Sequence, residues 1–222
     1  MSTPITIGLI EDQFLFRQGM KAILKTRTGL DVIFESAEGY TVIEMLKKET
    51  RHPDVMLVDL SLPPHGNEEY GGKELTAALR QHFPEIKIII LSGHEEENFI
   101  ADLIESGAHG YLIKDSDPGE VFEAITAVIE KGSYINTRAL KAIQNQMLRK
   151  RKRPSVLTQL TRREEEVLQL ICMQLTSEEI ADKLSISIKT VNGYRVSLLE
   201  KTNSINVAGL TLFAIKSGIV KI

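Results

Sequence analysis

Five short apolar runs, each followed by a segment with helical spacing, fill the first 130 residues of this chain, and that alternation leaves few folds open. Segments 5–10, 32–34, 55–58, 86–91 and 111–113 read as strands. Segments 14–24, 40–48, 73–82, 96–104 and 118–130 read as the helices between and behind them, with Pro118 placed for the first turn of the last. Strands that alternate with helices pair in parallel through right-handed crossovers, giving a sheet covered on both faces. In such sheets the chemistry sits at the carboxyl ends of the strands.

Those ends carry an unusual set of side chains. The first strand runs into Glu11 and Asp12, and the third into Asp59. The fourth meets Ser92, and the fifth is followed by Lys114. Each has an ordinary explanation alone, since acids and serines cap helices and a lysine usually faces water. Together, carboxylates gathered at one rim repel unless a cation offsets them, and hard oxygen ligands select Mg2+ or a similar ion. With a hydroxyl and an ammonium beside them, the set suits a phosphoryl group, attacked by one carboxylate and balanced by the cations.

The formal charge of −3 hides a division. Residues 1–148 hold 14 Lys/Arg and 23 Asp/Glu, and residues 149–222 hold 13 and 7, giving −9 and +6. The change falls at Arg149-Lys150-Arg151-Lys152-Arg153-Pro154, a run that repels itself into an extended linker. An acidic front and a basic back point to different partners. No run approaches the roughly 18–20 apolar residues of a membrane span, and the N-terminus lacks a basic leader. A lone Cys172 excludes an internal disulfide and fits a reducing, cytoplasmic setting, and the five histidines show no zinc-ligand spacing.

The back half is helical. Thr161-Arg-Arg-Glu164 and Thr176-Ser-Glu-Glu179 are capping boxes, each leading into apolar residues at helical spacing. Ser185-Ile186-Ser187 makes a tight turn, and Ser187 caps a third helix from Ile188 to about Glu200, pinned by Ile188, Val191, Leu198 and Leu199. That is a helix-turn-helix layout. The outer face of its third helix presents Lys189, Thr190, Asn192, Gly193 and Val196, with Arg195 at the border, groups that can bond phosphates and base edges in a major groove. Gly193 costs about 1 kcal/mol of helix propensity against Ala, a cost that close approach to DNA would explain.

Segments IGLIEDQ, DVMLVDLSLP, IIILSGH and GYLIKD resemble the receiver domain of two-component response regulators. The resemblance implies a flavodoxin-like five-stranded sheet over residues 1–132. It implies Asp59 as phosphoacceptor, Mg2+ on Glu11, Asp12, Asp59 and the main-chain carbonyl of Ser61, and phosphoryl contacts from Ser92 and Lys114. Tyr111 matches the aromatic whose rotamer follows the strand-four hydroxyl. Ser61 and His94 would tune the lifetime of the phosphoryl group. The stretch Pro64–Tyr70 lengthens the loop after the nucleophile, and Asp115 stands where many receivers have Pro. An aspartyl-phosphate hydrolase would want a second Asp where Ser61 stands, so self-phosphorylation and slow dephosphorylation, not turnover, are expected.

Residues 157–222, through LTRREEEVLQLI, SEEIADKLSISIKTVNGYRVSLLEK and AGLTLFAIKSGIV, resemble the four-helix LuxR-type DNA-binding domain. The resemblance implies a recognition helix near 188–201 and a terminal helix near 207–217 that pairs subunits through Val207, Leu210, Thr211 and Ala214. Gln174 replaces a frequent Gly after the first helix, and 134–148 resembles the extra helix that often precedes the linker, so that 133–156 comprises this helix and the basic linker. The whole chain resembles a NarL/FixJ-type regulator. That implies a sensor histidine kinase, a promoter operator with two half-sites, RNA polymerase and, when phosphorylated, a homodimer as partners, and no membrane.

Overall fold

The computed structural model describes residues 3–64, 70–93, 100–137, 139–141, 143 and 160–220. Five parallel strands, β1 (Ile5–Ile10), β2 (Leu30–Ser36), β3 (Val55–Asp59), β4 (Lys87–Ser92) and β5 (Gly110–Ile113), stand in the order β2-β1-β3-β4-β5. The connecting helices are α1 (Phe14–Lys25), α2 (Val42–Leu46), α3 (Gly72–His82), α4 (Ile100–Glu105) and α5 (Pro118–Glu130). The order reverses between β1 and β3, where an open parallel sheet leaves a crevice at its carboxyl edge.

Alternation along each strand builds two cores. Met56, Val58, Ile88 and Ile90 pack on the α2–α4 face, and Val55, Leu57, Ile89 and Leu91 on the α1–α5 face. Both sets are almost wholly buried, which is why these strands read as unbroken apolar runs. Strand β2, at the sheet edge, is longer than its short apolar centre suggested, and α2 is shorter than its pattern. The expected start of α4 lies outside the described residues. Two α1 residues that fit the helical spacing, Phe14 and Leu15, are instead 63% and 86% exposed, because Met20 and Leu24 carry that helix's core face. Asp117 caps α5 through Glu120 N, with Pro118 in the first turn as expected.

Beyond α5, Tyr134 bridges in parallel to Gly110, extending the β5 edge by one residue. Its hydroxyl and Asn136 Nδ2 both reach Glu120 Oε1. Residues 137, 139–141 and 143 are helical, and the basic run lies outside the described residues.

The second unit comprises α6 (Arg162–Cys172), α7 (Ser177–Leu184), α8 (Ile188–Thr202) and α9 (Val207–Lys216) around Val167, Leu168, Ile180, Val191, Leu198 and Leu210. Both capping boxes form. Glu164 does more than cap: it is buried and also accepts from Ser197 Oγ and Lys201 Nζ, tying α6 to α8. These bonds hold its carboxyl down at about 2 against the opposing effect of burial. Gln174 takes the strained conformation its position demanded, with φ +63°. Burial pushes the Cys172 thiol up to about 12, so it behaves as a small hydrophobe. Ile188 does not pin α8: it is 44% exposed, and Val191 and Leu198 hold the helix.

Candidate functional site

Because β1 and β3 are neighbours, their carboxyl ends bring Glu11, Asp12 and Asp59 together, with ligand oxygens all within 4.8 Å of one another. Glu11 and Asp59 are buried, and Asp12 is exposed at the mouth. Lys114, one residue past β5, sets its Nζ 2.9 Å from Glu11 Oε2 and 3.0 Å from Asp59 Oδ2. Its ammonium also lies 5.0 Å from the centre of the Phe16 ring.

Charge at this rim is not balanced by the lysine alone. Burial pushes the Glu11 carboxyl above the usual carboxylate range; the Lys114 hydrogen bond opposes this, and the Asp59 charge adds to it. Asp59 is raised for the same first reason, with the Lys114 hydrogen bond and charge opposing. Burial alone would lower Lys114, but its hydrogen bonds to Glu11 and Asp59 win and raise it. Glu11 Oε2 and Asp59 Oδ2 accept no well-aligned hydrogen bond among the described residues beyond that ion pairing. Three carboxylates, two of them buried with oxygens to spare, fit a hard divalent cation such as Mg2+.

The surrounding backbone is fitted closely. Ser61 N donates to Asp59 Oδ1 at 3.2 Å, and Gln13 N to Glu11 Oε1 at 3.0 Å. Gly72 opens α3 against the end of β3, and a Cβ there would sit 2.3 Å from the Asp59 carbonyl oxygen. Gly72, the second of the glycine pair, is therefore needed to seat α3 beside Asp59, a role its sequence position alone did not disclose. Ser92 is fully buried at the end of β4, and its carbonyl accepts from Lys114 N at 2.8 Å. Tyr111, 3% exposed on β5, faces the α2–α4 core opposite Ile90 in register. His94 and residues 65–69 lie outside the described residues.

In the second unit, Lys189, Thr190, Asn192, Gly193 and Val196 are all exposed on α8. Arg195 is not free in the same way. Its guanidinium donates to Ser177 Oγ (2.9 Å) and to the carbonyl of Lys131 (3.2 Å), the residue that caps α5. Ser177 in turn reaches Asn192 Oδ1 at 3.1 Å. Burial lowers the Arg195 pKa.

The terminal helix corrects the pairing surface drawn from sequence. Val207, Leu210 and Ala214 are buried in the core of their own unit, and Thr211 Oγ1 bonds the Val207 carbonyl. With no exposed apolar surface, these four do not form a free pairing face. The opposite side of α9 packs Ala208, Leu212 and Ile215 on the cluster that contains α4. Asn206, which sequence reasoning missed, caps α9 through Gly209 N while its amide donates to the carbonyls of Gly107 and Ala108. Lys216 pairs with Glu105 at the end of α4. An Asn before an apolar helix signals a cap, but nothing local signals a partner about 100 residues upstream.

Fold and rim chemistry define a class: a parallel α/β module with an acidic rim, followed by a helix-turn-helix module. Two family models match, the response regulator receiver domain over residues 7–126 and the bacterial regulatory proteins of the luxR family over 158–214. The chain is 31% identical to the transcriptional regulatory protein DegU of Brevibacillus brevis over 235 residues, covering 98% of this chain and 96% of that one. It is also 31% identical to the response regulator UvrY of Escherichia coli K12, covering 97% and 95%. Among solved structures, the response regulator ChrA of a heme-sensing two-component system superposes with a TM-score of 0.52 at 26% identity, covering 99% and 100%. RcsB of Salmonella enterica serovar Typhimurium, bound to promoter P1flhDC, gives 0.58 at 22% identity over 97% and 100%, a likeness of fold. This chain belongs to the NarL/FixJ-type response regulators of two-component systems, with a receiver and a LuxR-type DNA-binding domain. Among the described residues no helix is long and apolar enough to cross a membrane.

Proposed function

We propose that the chain is a transcription regulator whose operator binding is controlled by phosphorylation of Asp59. The observation that carries this reading is the placement of Lys114 Nζ within 3.0 Å of both Glu11 and Asp59 at the edge of a three-carboxylate cluster. A carboxylate oxygen of Asp59 attacks the phosphorus of a phosphohistidine on a sensor kinase, and the phosphorus–nitrogen bond breaks with the electron pair leaving on the imidazole. Lys114 then balances an oxygen of the new acyl phosphate, and Ser92 Oγ supplies a hydrogen bond to another. Glu11, Asp12, Asp59 and the Ser61 carbonyl would hold Mg2+, which would offset phosphoryl charge during transfer. With Ser61 in place of a second acid, the chain undergoes this transfer without turning over phosphate esters.

The regulated step is release of α9. Ser92 ends β4 and Lys114 follows β5, and α4 lies between these two strands in the chain. New charge at the rim pulls on both, shifting α4 and the Gly107–Ala108 turn to which Asn206 is bonded. Ala208, Leu212 and Ile215 then become free to pair a second subunit, and Arg195 leaves Lys131 for a phosphate of DNA. Two subunits reading two half-sites follow.

The test is binding of the whole chain to genomic fragments with and without acetyl phosphate and Mg2+. Phosphate-dependent retardation, absent in Asp59→Asn, is expected. Equal retardation in every case would favour a constitutive regulator instead. No retardation with intact phosphorylation would favour signalling through protein contacts.

A further inference from the structure

On the exposed face of α8, Lys189, Gly193 and Val196 have no evident use inside the protein. At 100° per residue, Lys189, Asn192, Gly193 and Val196 fall within about 100° of arc. Val196 is 56% exposed, an apolar branched side chain open to water on a helix whose core is supplied by Val191 and Leu198. A Cβ at Gly193 would meet nothing within 4 Å, and its φ lies outside the left-handed region, so neither packing nor backbone geometry requires glycine. Asn192 presents an amide beside them, with its Oδ1 bonded to Ser177.

Resting on the DNA-binding reading above, we infer that this face reads an A·T pair in each half-site, with Val196 packed on the C5-methyl group of the thymine. In the major groove only thymine offers a methyl group, and only adenine offers the adjacent acceptor and donor that an Asn amide matches in two bonds. Gly193, lacking a side chain, lets the helix backbone approach the base edges between the two readers. Lys189 supplies the positive charge that seats the stripe against phosphate. Exposed apolar surface here is thus covered on binding to DNA, while Arg195 stays at the border as a phosphate contact.

The experiment starts from duplexes enriched from a random pool by the acetyl-phosphate-treated whole chain. Each thymine in turn is replaced by uracil, which removes the methyl group alone. One thymine per half-site should then lose about fourfold in affinity, the worth of one buried methyl. In Val196→Ala, whose site is exposed and whose fold is spared, that loss should shrink to none. Gly193→Ala should melt at an equal or higher temperature than wild type yet bind the same duplexes more weakly. Uracil tolerated everywhere, or a methyl effect unchanged in Val196→Ala, would overturn the inference while the enriched sequence upheld DNA binding. Failure of any sequence to enrich would overturn both.

Discussion

The side-chain amide of Asn206 donates to the carbonyl of Gly107 at 2.9 Å, linking the cap of the last helix to the turn after α4. The same amide reaches the Ala108 carbonyl at 3.0 Å while its oxygen holds Gly209 N. Asn206→Asp separates these duties, because Asp caps as well as Asn but cannot donate. It sets a carboxylate against two carbonyls, costing the interdomain contact about 1–3 kcal/mol. The unphosphorylated variant should pair on two-half-site DNA at lower protein concentration than wild type, with an unchanged thermal transition for the DNA-binding unit. Identical pairing curves in sedimentation would remove Asn206 from the switch.

A divalent cation should stabilise the receiver by mass action, since Glu11 and Asp59 are buried with oxygen valence to spare. Adding Mg2+ at about 100 times its dissociation constant should contribute about 2.7 kcal/mol. Calorimetry should show that gain in wild type and a clearly smaller one in Asp12→Asn. Equal gains would place the ion elsewhere.

His109 makes stability depend on acid. Burial, reinforced by the charges of Lys87 and Arg80, pushes its imidazole down to about 3 from 6.5. The folded chain therefore binds fewer protons than the unfolded one between those values, so stability is intact above pH 6.5 and falls as pH drops toward 3. Its Nδ1 accepts from Ile88 N, so His109→Gln should cost about 1–3 kcal/mol at pH 7. The variant should also flatten the pH dependence in that window. A wild-type acid slope in the variant would assign the effect to other groups.

Gln174 sits at φ +63° after α6, where glycine carries no side-chain penalty. Gln174→Gly should raise the stability of the C-terminal unit by about 0.5–1 kcal/mol, read by urea titration. A loss of stability would show that the Gln side chain holds the turn.

Much of this was legible in the sequence because it is local or periodic. Unbroken runs such as Ile88–Leu91 reveal strands buried on both faces, and Thr161 with Glu164 spells a cap within four residues. Glu11, Asp59 and Lys114 could be grouped because chain order alone fixes which strand ends share a rim. What escaped depends on contacts between distant segments. Val207 and Ala208 are adjacent and equally apolar, yet one faces its own domain and the other the cluster around α4. Periodicity puts Arg195 at the border of the expected DNA face, and only the positions of Ser177 and Lys131 show it engaged elsewhere. Phe14 and Leu15 match a helical stripe that the core does not use.

The most direct test of the central claim is the intact mass of the whole chain after incubation with acetyl phosphate and Mg2+. The account predicts one added phosphoryl group in wild type, lost in Asp59→Asn, and a shift from monomer to dimer that tracks the modified fraction. A variant still labelled stoichiometrically, or a labelled wild type that stays monomeric on two-half-site DNA, would contradict it.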